Sequence, residues 1–167
     1  MPIKILVGDI TSLQVDAVVN AANGTLLGGG GVDGAIHRVA GPDLKAYSAN
    51  LGRCTTGSAV ITPGFNLPAK YIIHTVGPIF GEHDEAEDLL RQCYLSSLEI
   101  AAHVSHNITS IAFPAISTGA FGFPKDLAAK ISIEVITGWL NDHPDKEVIL
   151  VFLDHKDTTY HKQLIET

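Results

Sequence analysis

Asn20-Ala21-Ala22-Asn23, followed by Gly28-Gly29-Gly30-Gly31-Val32-Asp33-Gly34, is the stretch on which the fold turns. An apolar, β-branched run at Asp16–Asn20 enters it, and a helical pattern leaves it. Each glycine is harder to order than alanine, by about 0.5–1 kcal/mol in regular structure. Four in a row therefore suit a backbone that must approach a ligand closely or adopt positive φ; the competing explanation is a flexible surface turn. The helix that follows begins with N–H groups that lack partners and favour an anion.

Gly29, Gly31 and Gly34 match the GxGxxG spacing of dinucleotide-binding folds. That fingerprint also needs a strand directly before it and an acidic residue about 20 positions on. Here the strand pattern stops well before the glycines, and no Asp or Glu occurs between Asp43 and Glu82. A P-loop is excluded too, because no Gly-Lys-Ser/Thr follows. A second loop, Pro114-Ala115-Ile116-Ser117-Thr118-Gly119-Ala120-Phe121-Gly122-Phe123-Pro124, also runs from a buried strand through small residues into a helix. Two such units at the carboxyl ends of neighbouring strands can present facing sets of backbone donors, which suits a diphosphate.

Outward from these loops, short apolar runs alternate with helical patterns, as in a layered α/β domain. Ile3–Val7, Asp16–Asn20, Ala59–Thr62, Tyr71–Val76, Ser110–Pro114 and Val148–Leu153 read as strands. Helices are expected over Asp33–Ala40 and onward to about Leu51, Glu85–His103, Asp126–Leu140 and near Thr158–Ile165. Leu90, Tyr94 and Leu98 form a core-facing stripe, as do Leu127, Ile131 and Val135, and Pro124 fits a first-turn position.

The 167 residues fit one domain spanning 1–167, with no repeat or linker to divide them. Nearly half are apolar, enough for a closed core, and the net charge of -7 argues against a nucleic-acid scaffold. It leaves room for a phosphate-bearing small molecule held by main-chain amides. Only two cysteines occur, Cys54 and Cys93, so a reduced, cytoplasmic protein is expected; no signal peptide is visible at Met1-Pro2-Ile3-Lys4-Ile5. Residues 100–124 lack Asp, Glu, Lys and Arg, but their Ser, Thr, Asn, His and Pro content fits a buried strand and loop better than a membrane span. His103 and His106, with His83 upstream, lack the acidic or cysteine pattern of a metal site, so no metal is expected. Ser117 lacks the GxSxG turn of a serine hydrolase.

The chain resembles the macrodomain family, in particular its MacroD-type hydrolase branch. The motifs are Gly8-Asp9-Ile10-Thr11, Val18-Val19-Asn20-Ala21-Ala22-Asn23, the Gly28–His37 stretch, His74-Thr75-Val76-Gly77-Pro78 and Ala112-Phe113-Pro114-Ala115-Ile116-Ser117-Thr118-Gly119. The resemblance implies a three-layer α/β/α sandwich around a mixed, mostly parallel sheet of six or seven strands. By position it implies that Asp9 and the Ile10 backbone recognise the adenine amino side. A carboxylate accepting from an exocyclic amine is chemically sensible there; a helix-cap aspartate is the bland alternative. Leu153 matches a position that often carries an aromatic against adenine. Gly29, Gly30, Gly31 and Val32 match one phosphate loop, and Ser117, Thr118, Gly119, Ala120, Phe121 and Gly122 the other, with Phe121 near the distal ribose.

Asn20, Asn23, Asp33 and His37 match the polar group around that ribose, with Asn23, Asp33 and His37 implied as catalytic. If the helix starts at Val32 or Asp33, Asp33 and His37 share one face. A structural helix histidine and a helix-start carboxylate are the competing explanations. The implied activity is hydrolysis of esters on the distal ribose: O-acetyl-ADP-ribose, or mono-ADP-ribose on Asp or Glu side chains. Asp33 or a ligand phosphate would activate the water. A reader module that binds ADP-ribosyl marks without chemistry is the alternative function, and phosphatase action on ADP-ribose 1''-phosphate a third. The expected partners are ADP-ribose, its esters and mono-ADP-ribosylated proteins; no cofactor, nucleic acid or membrane is expected, and the protein should be a monomer.

Overall fold

The computed structural model describes residues 3–166. Residues 1, 2 and 167, which belong to the expected single-domain span, lie outside the described residues. The elements run β1 (Ile3–Val7), β2 (Ala17–Ala22), α1 (Gly31–Ala40), α2 (Pro42–Ala49), β3 (Ala59–Pro63), β4 (Tyr71–Val76), α3 (Ala86–Ala102), β5 (Ser110–Phe113), α4 (Lys125–Asp142), β6 (Glu147–Phe152) and α5 (Thr159–Glu166). Short 3-10 turns occupy Ile10–Ser12, Val104–His106 and His155–Thr158.

The strands form one six-stranded sheet in the order β1-β6-β5-β2-β4-β3. All neighbours pair in parallel except β3, which runs antiparallel to β4 at the edge. Period-two alternation divides the core between two faces. Val19, Ile73, Ile111 and Leu150 pack beneath α3 and α4, together with Leu90, Leu98 and Ile131. Val18, Ile72, Ala112 and Val151 pack with Ile36 and Leu44 of α1 and α2. The result is the three-layer sandwich the motifs imply, with six strands.

Apart from shifts of one or two residues at other element ends, including α1, which starts at Gly31, three differences from the sequence expectation have a local physical reason. The helical segment from Asp33 toward Leu51 is two helices, because Gly41 takes φ 91° and Pro42 opens α2 at its first turn. A residue at that φ cannot continue a helix, and proline then starts the next one. Pro124 caps α4 from outside instead of lying inside its first turn, and its carbonyl accepts from the Ala128 N–H at 2.9 Å. The strand β2 extends to Ala22, two residues past the predicted end, because its pairing with β4 continues through Ala22 and Val76.

Parallel strands place their carboxyl ends at one edge. There β2 turns into α1 on one face, while its neighbour β5 turns into α4 on the other. This divergence opens a crevice, the usual ligand site of open α/β sheets.

Candidate functional site

The crevice is a cleft of about 820 Å³. The ends of β1, β2, β4, β5 and β6 all reach it, through Asp9, Asn23, Gly77, Ser117 and Leu153 respectively. The first glycine loop forms one wall. Gly30 caps α1 without any side-chain hydrogen bond, so the helix start faces the cleft with its amides uncovered. Gly31 takes φ 59°, which favours glycine. A Cβ on Gly29 would lie 2.9 Å from Asn23 Nδ2 and 3.2 Å from Asp33 Oδ2, so a larger residue there would displace one of those two side chains.

The second loop forms the opposite wall. Ser117 takes φ 64°, the Phe123 N–H closes the turn onto Ser117 O at 2.8 Å, and Gly122 bonds back to Gly119 O at 3.0 Å. Gly29 on one wall, and Thr118 and Ala120 on the other, have no hydrogen-bond partner among the described residues. Two walls of free amides thus face one cleft, the arrangement that an anion with two phosphates requires. Gly77 is where β4 meets this loop. A Cβ there would collide with Ser117 Oγ, which explains a glycine that composition alone does not.

Beneath the first wall lies a buried chain of polar side chains. Asn20 of β2 and His74 of β4 are register partners on the α1 face, and both are fully buried. The Thr62 hydroxyl bonds to the Pro63 carbonyl at 3.1 Å and to His74 Nε2 at 2.9 Å. A hydroxyl that donates to a carbonyl must accept from the ring, so His74 carries its proton on Nε2. Its Nδ1 then accepts from Asn20 Nδ2 at 3.1 Å, and the same amide nitrogen donates its other hydrogen to Asp33 Oδ1 at 2.9 Å. Burial, with a smaller push from His37, lowers the His74 pKa to about 3, so the ring is neutral and the chain keeps this polarity.

Asp33 is thereby fixed from below through one oxygen. Its other oxygen, Oδ2, is buried without a hydrogen-bond partner among the described residues, and Asp33 is one of the residues that line the cleft. His37 Nε2 lies 3.5 Å from Asp33 Oδ1, and Gly28 covers the imidazole face. Asn23 lies across from Asp33, its Nδ2 donating to Gly28 O at 2.6 Å and its Oδ1 accepting from the Thr25 hydroxyl at 2.6 Å.

At the far end, Asp9 caps a 3-10 turn: Oδ1 accepts from the Thr11 hydroxyl at 2.7 Å and the Thr11 N–H at 2.9 Å. These two bonds hold its carboxyl below the usual range. Leu153 is 86 % exposed at the rim, with buried Phe152 beside it on the cleft wall.

The structure brings together Asp9, Ile10, Asn23, Gly29, Gly30, Gly31, Val32, Asp33, Ser117, Thr118, Gly119, Ala120, Phe121 and Leu153 around one cleft. Three expected site residues are not on its wall. Asn20 is fully buried beneath Asp33, because its strand position points it into the layer below α1. His37 stands behind Asp33, one helical turn along α1 and off the cleft wall, with its Nε2 3.5 Å from Asp33 Oδ1. Gly122 completes the turn of the second loop at φ 71°. Sequence reasoning missed Gly77, Arg38 and His74; only the spacing of the His74-Thr75-Val76-Gly77-Pro78 motif hinted at two of them. Arg38 adds a cation with no ion-pair partner among the described residues, one turn along α1 from Gly34. Among the described residues no group of three metal-ligating side chains occurs, and no helix is long and apolar enough to cross a membrane.

A family model described as Macro domain matches residues 19–132. The chain is 51% identical over 167 residues to a Bos taurus protein named ADP-ribose glycohydrolase MACROD1, covering 97% of this chain and 51% of that protein. It thus spans about half the length of that relative. Among solved structures, an Oceanobacillus iheyensis macrodomain with ADP is 42% identical with TM-score 0.91, over 97% of this chain and 88% of that one. A Trypanosoma brucei macrodomain in complex with ADP-ribose is 39% identical with TM-score 0.90, over 98% and 68%.

Proposed function

The chain belongs to the Macro domain family, and from that premise and the cleft's geometry we propose that it binds ADP-ribose and hydrolyses esters on the distal ribose. The substrates are O-acetyl-ADP-ribose and mono-ADP-ribose on Asp or Glu side chains. Asp33 Oδ2, a buried carboxylate oxygen with no hydrogen-bond partner among the described residues, carries the proposal. An unpaired buried acceptor is costly, by about 1–3 kcal/mol, and the cost is recovered when a water or ribose hydroxyl donates to it. The names of the relatives support the same ligand: one is called an ADP-ribose glycohydrolase, and one macrodomain structure holds ADP-ribose.

In this mechanism the diphosphate bridges the two amide walls, with Arg38 offsetting part of its charge. Asp33 Oδ2 accepts a proton from water as the oxygen attacks the acyl carbon. The acyl–oxygen bond to the ribose then breaks, the ribose oxygen takes up that proton, and ADP-ribose leaves with a carboxylate. Asn23 holds the ribose, and Asn20, His74 and Thr62 hold Asp33. A substrate phosphate oxygen acting as the base would leave Asp33 as the group orienting the water. The protein is taken to work as a cytoplasmic monomer, and the net charge of -7 supports the exclusion of nucleic acid.

The test is product analysis after incubation with O-acetyl-ADP-ribose and with a mono-ADP-ribosylated Glu peptide. ADP-ribose and free carboxylate are expected from the wild type. Binding of both compounds without release of either product would instead make the protein a reader.

A further inference from the structure

Past Asn23 a second cavity of about 530 Å³ adjoins the cleft. Asn23, Gly77 and Phe121 line both, so the two meet at the sugar end, beside Asp33. Its outer wall is the segment from Arg53 to Thr56. That segment is pinned by the Cys54 N–H to Gly24 O at 2.9 Å and by the Gly57 N–H to Val76 O at 2.9 Å. Neither pin uses the side chains of Arg53, Thr55 or Thr56.

The chemistry of this wall is uneven. Arg53 is exposed and has no acidic partner among the described residues, and its Nη2 lies against Gly24, where a Cβ would come within 3.3 Å. His83 Nδ1 accepts the Ile79 N–H at 3.0 Å, which leaves Nε2 as the ring's donor. No Asp or Glu lines the cavity, although Glu82 and Asp84 flank His83 outside it. Burial pushes the Cys54 thiol up, away from nucleophilic use. In a chain of net charge -7, this is a pocket with one unpaired guanidinium and neutral donors.

We propose that this cavity is the acyl-side subsite, and that it takes the acidic peptide segment carrying an esterified Asp or Glu. The proposal rests on the ester-hydrolase function above and narrows its substrate. An acetyl group would leave most of 530 Å³ unfilled and would give Arg53 nothing to recognise. A peptide fills the space, its acidic neighbours pair with Arg53, and the carboxylate freed by hydrolysis departs past the same cation.

The experiment is calorimetric titration with ADP-ribose and with two ADP-ribosyl peptides joined through a non-hydrolysable amide, one with acidic and one with neutral flanks. The wild type should bind the acidic conjugate about tenfold more tightly than ADP-ribose, the scale of one charge-assisted hydrogen bond. The neutral conjugate should fall between them. Arg53→Ala should erase the preference while leaving ADP-ribose affinity unchanged, and Arg53→Lys should restore part of it. An acidic conjugate that binds no better than ADP-ribose, or a preference that survives Arg53→Ala, overturns the subsite. Failure of the wild type to bind ADP-ribose itself would overturn the function on which it rests.

Discussion

The two ends of the cleft are built on opposite plans. At the end proposed for the sugar, Asp33 sits on a buried chain through Asn20, His74 and Thr62, four side chains from α1, β2, β4 and β3 joined by hydrogen bonds. At the end proposed for adenine, Asp9 is held by its own turn, and Leu153 projects into solvent. In the proposed mechanism, fixed geometry is placed where a reacting water must be aimed, since misplacement there costs rate. The other end needs only affinity, which an adaptable rim supplies. Substitutions at the first end should therefore change turnover, and those at the second should change binding.

Asp33→Ala gives the largest expected effect. Ester hydrolysis should fall by about 10²–10⁴-fold, the range of general-base assistance, while the dissociation constant for ADP-ribose changes little. Turnover close to wild type, measured by product release under single-turnover conditions, would place the base on the substrate's own phosphate and erase the contrast between the two ends.

His74→Phe tests the chain under Asp33 without touching the cleft. Asn20 loses its acceptor, so turnover should drop about tenfold and stability by about 1–3 kcal/mol. The pH dependence has a fixed sign. His74 titrates near 3 in the fold, below its ordinary value of about 6.5. Between those values the unfolded chain binds more protons, so the wild type loses this stability as pH falls from about 6.5 toward 3. The Phe variant lacks that component. Melting curves between pH 7 and 4 should show a smaller slope for the variant, and parallel slopes would mean that His74 is not buried neutral.

The contrast also marks what a sequence can disclose. Strand positions were legible because short, β-branched apolar runs mark strands buried on both faces, as at Val18 and Val19, which enter different core layers. The glycine loops were legible because glycine at Gly28 and Gly31, at φ 98° and 59°, answers a local backbone demand. The break at Gly41 was missed because a glycine followed by proline can lie within or between helices until packing decides. Asn20 was misjudged for a deeper reason. Its motif placed it beside the ribose residues, yet only the β2–β4 register shows that it pairs with His74 beneath them. A polar residue inside an apolar strand reads alike whether it faces a ligand or a hidden partner.

At the exposed end, Asp9→Ala should weaken ADP-ribose binding by about tenfold and narrow the discrimination against a guanine analogue, as loss of one charge-assisted bond implies. Part of any stability change belongs to the lost cap, about 1 kcal/mol. Binding that weakens equally for adenine and guanine ligands would show that Asp9 serves only its own turn.

Leu153 supplies the smallest and most discriminating effect. An aromatic at this position should stack where leucine only packs, and aromatic pairing adds about 0.5–1.5 kcal/mol beyond area. Leu153→Phe should thus tighten ADP-ribose binding a few-fold and leave the rate of the bound ester unchanged, because Asp33 is fixed from beneath by side chains that Leu153 does not join. The measurement is a pair: calorimetric affinity and the single-turnover rate at saturation. A gain in affinity with a constant rate means the two ends act independently. A rate that moves with affinity means that adenine packing is transmitted along the diphosphate to the ester, and the cleft must then be treated as one coupled device.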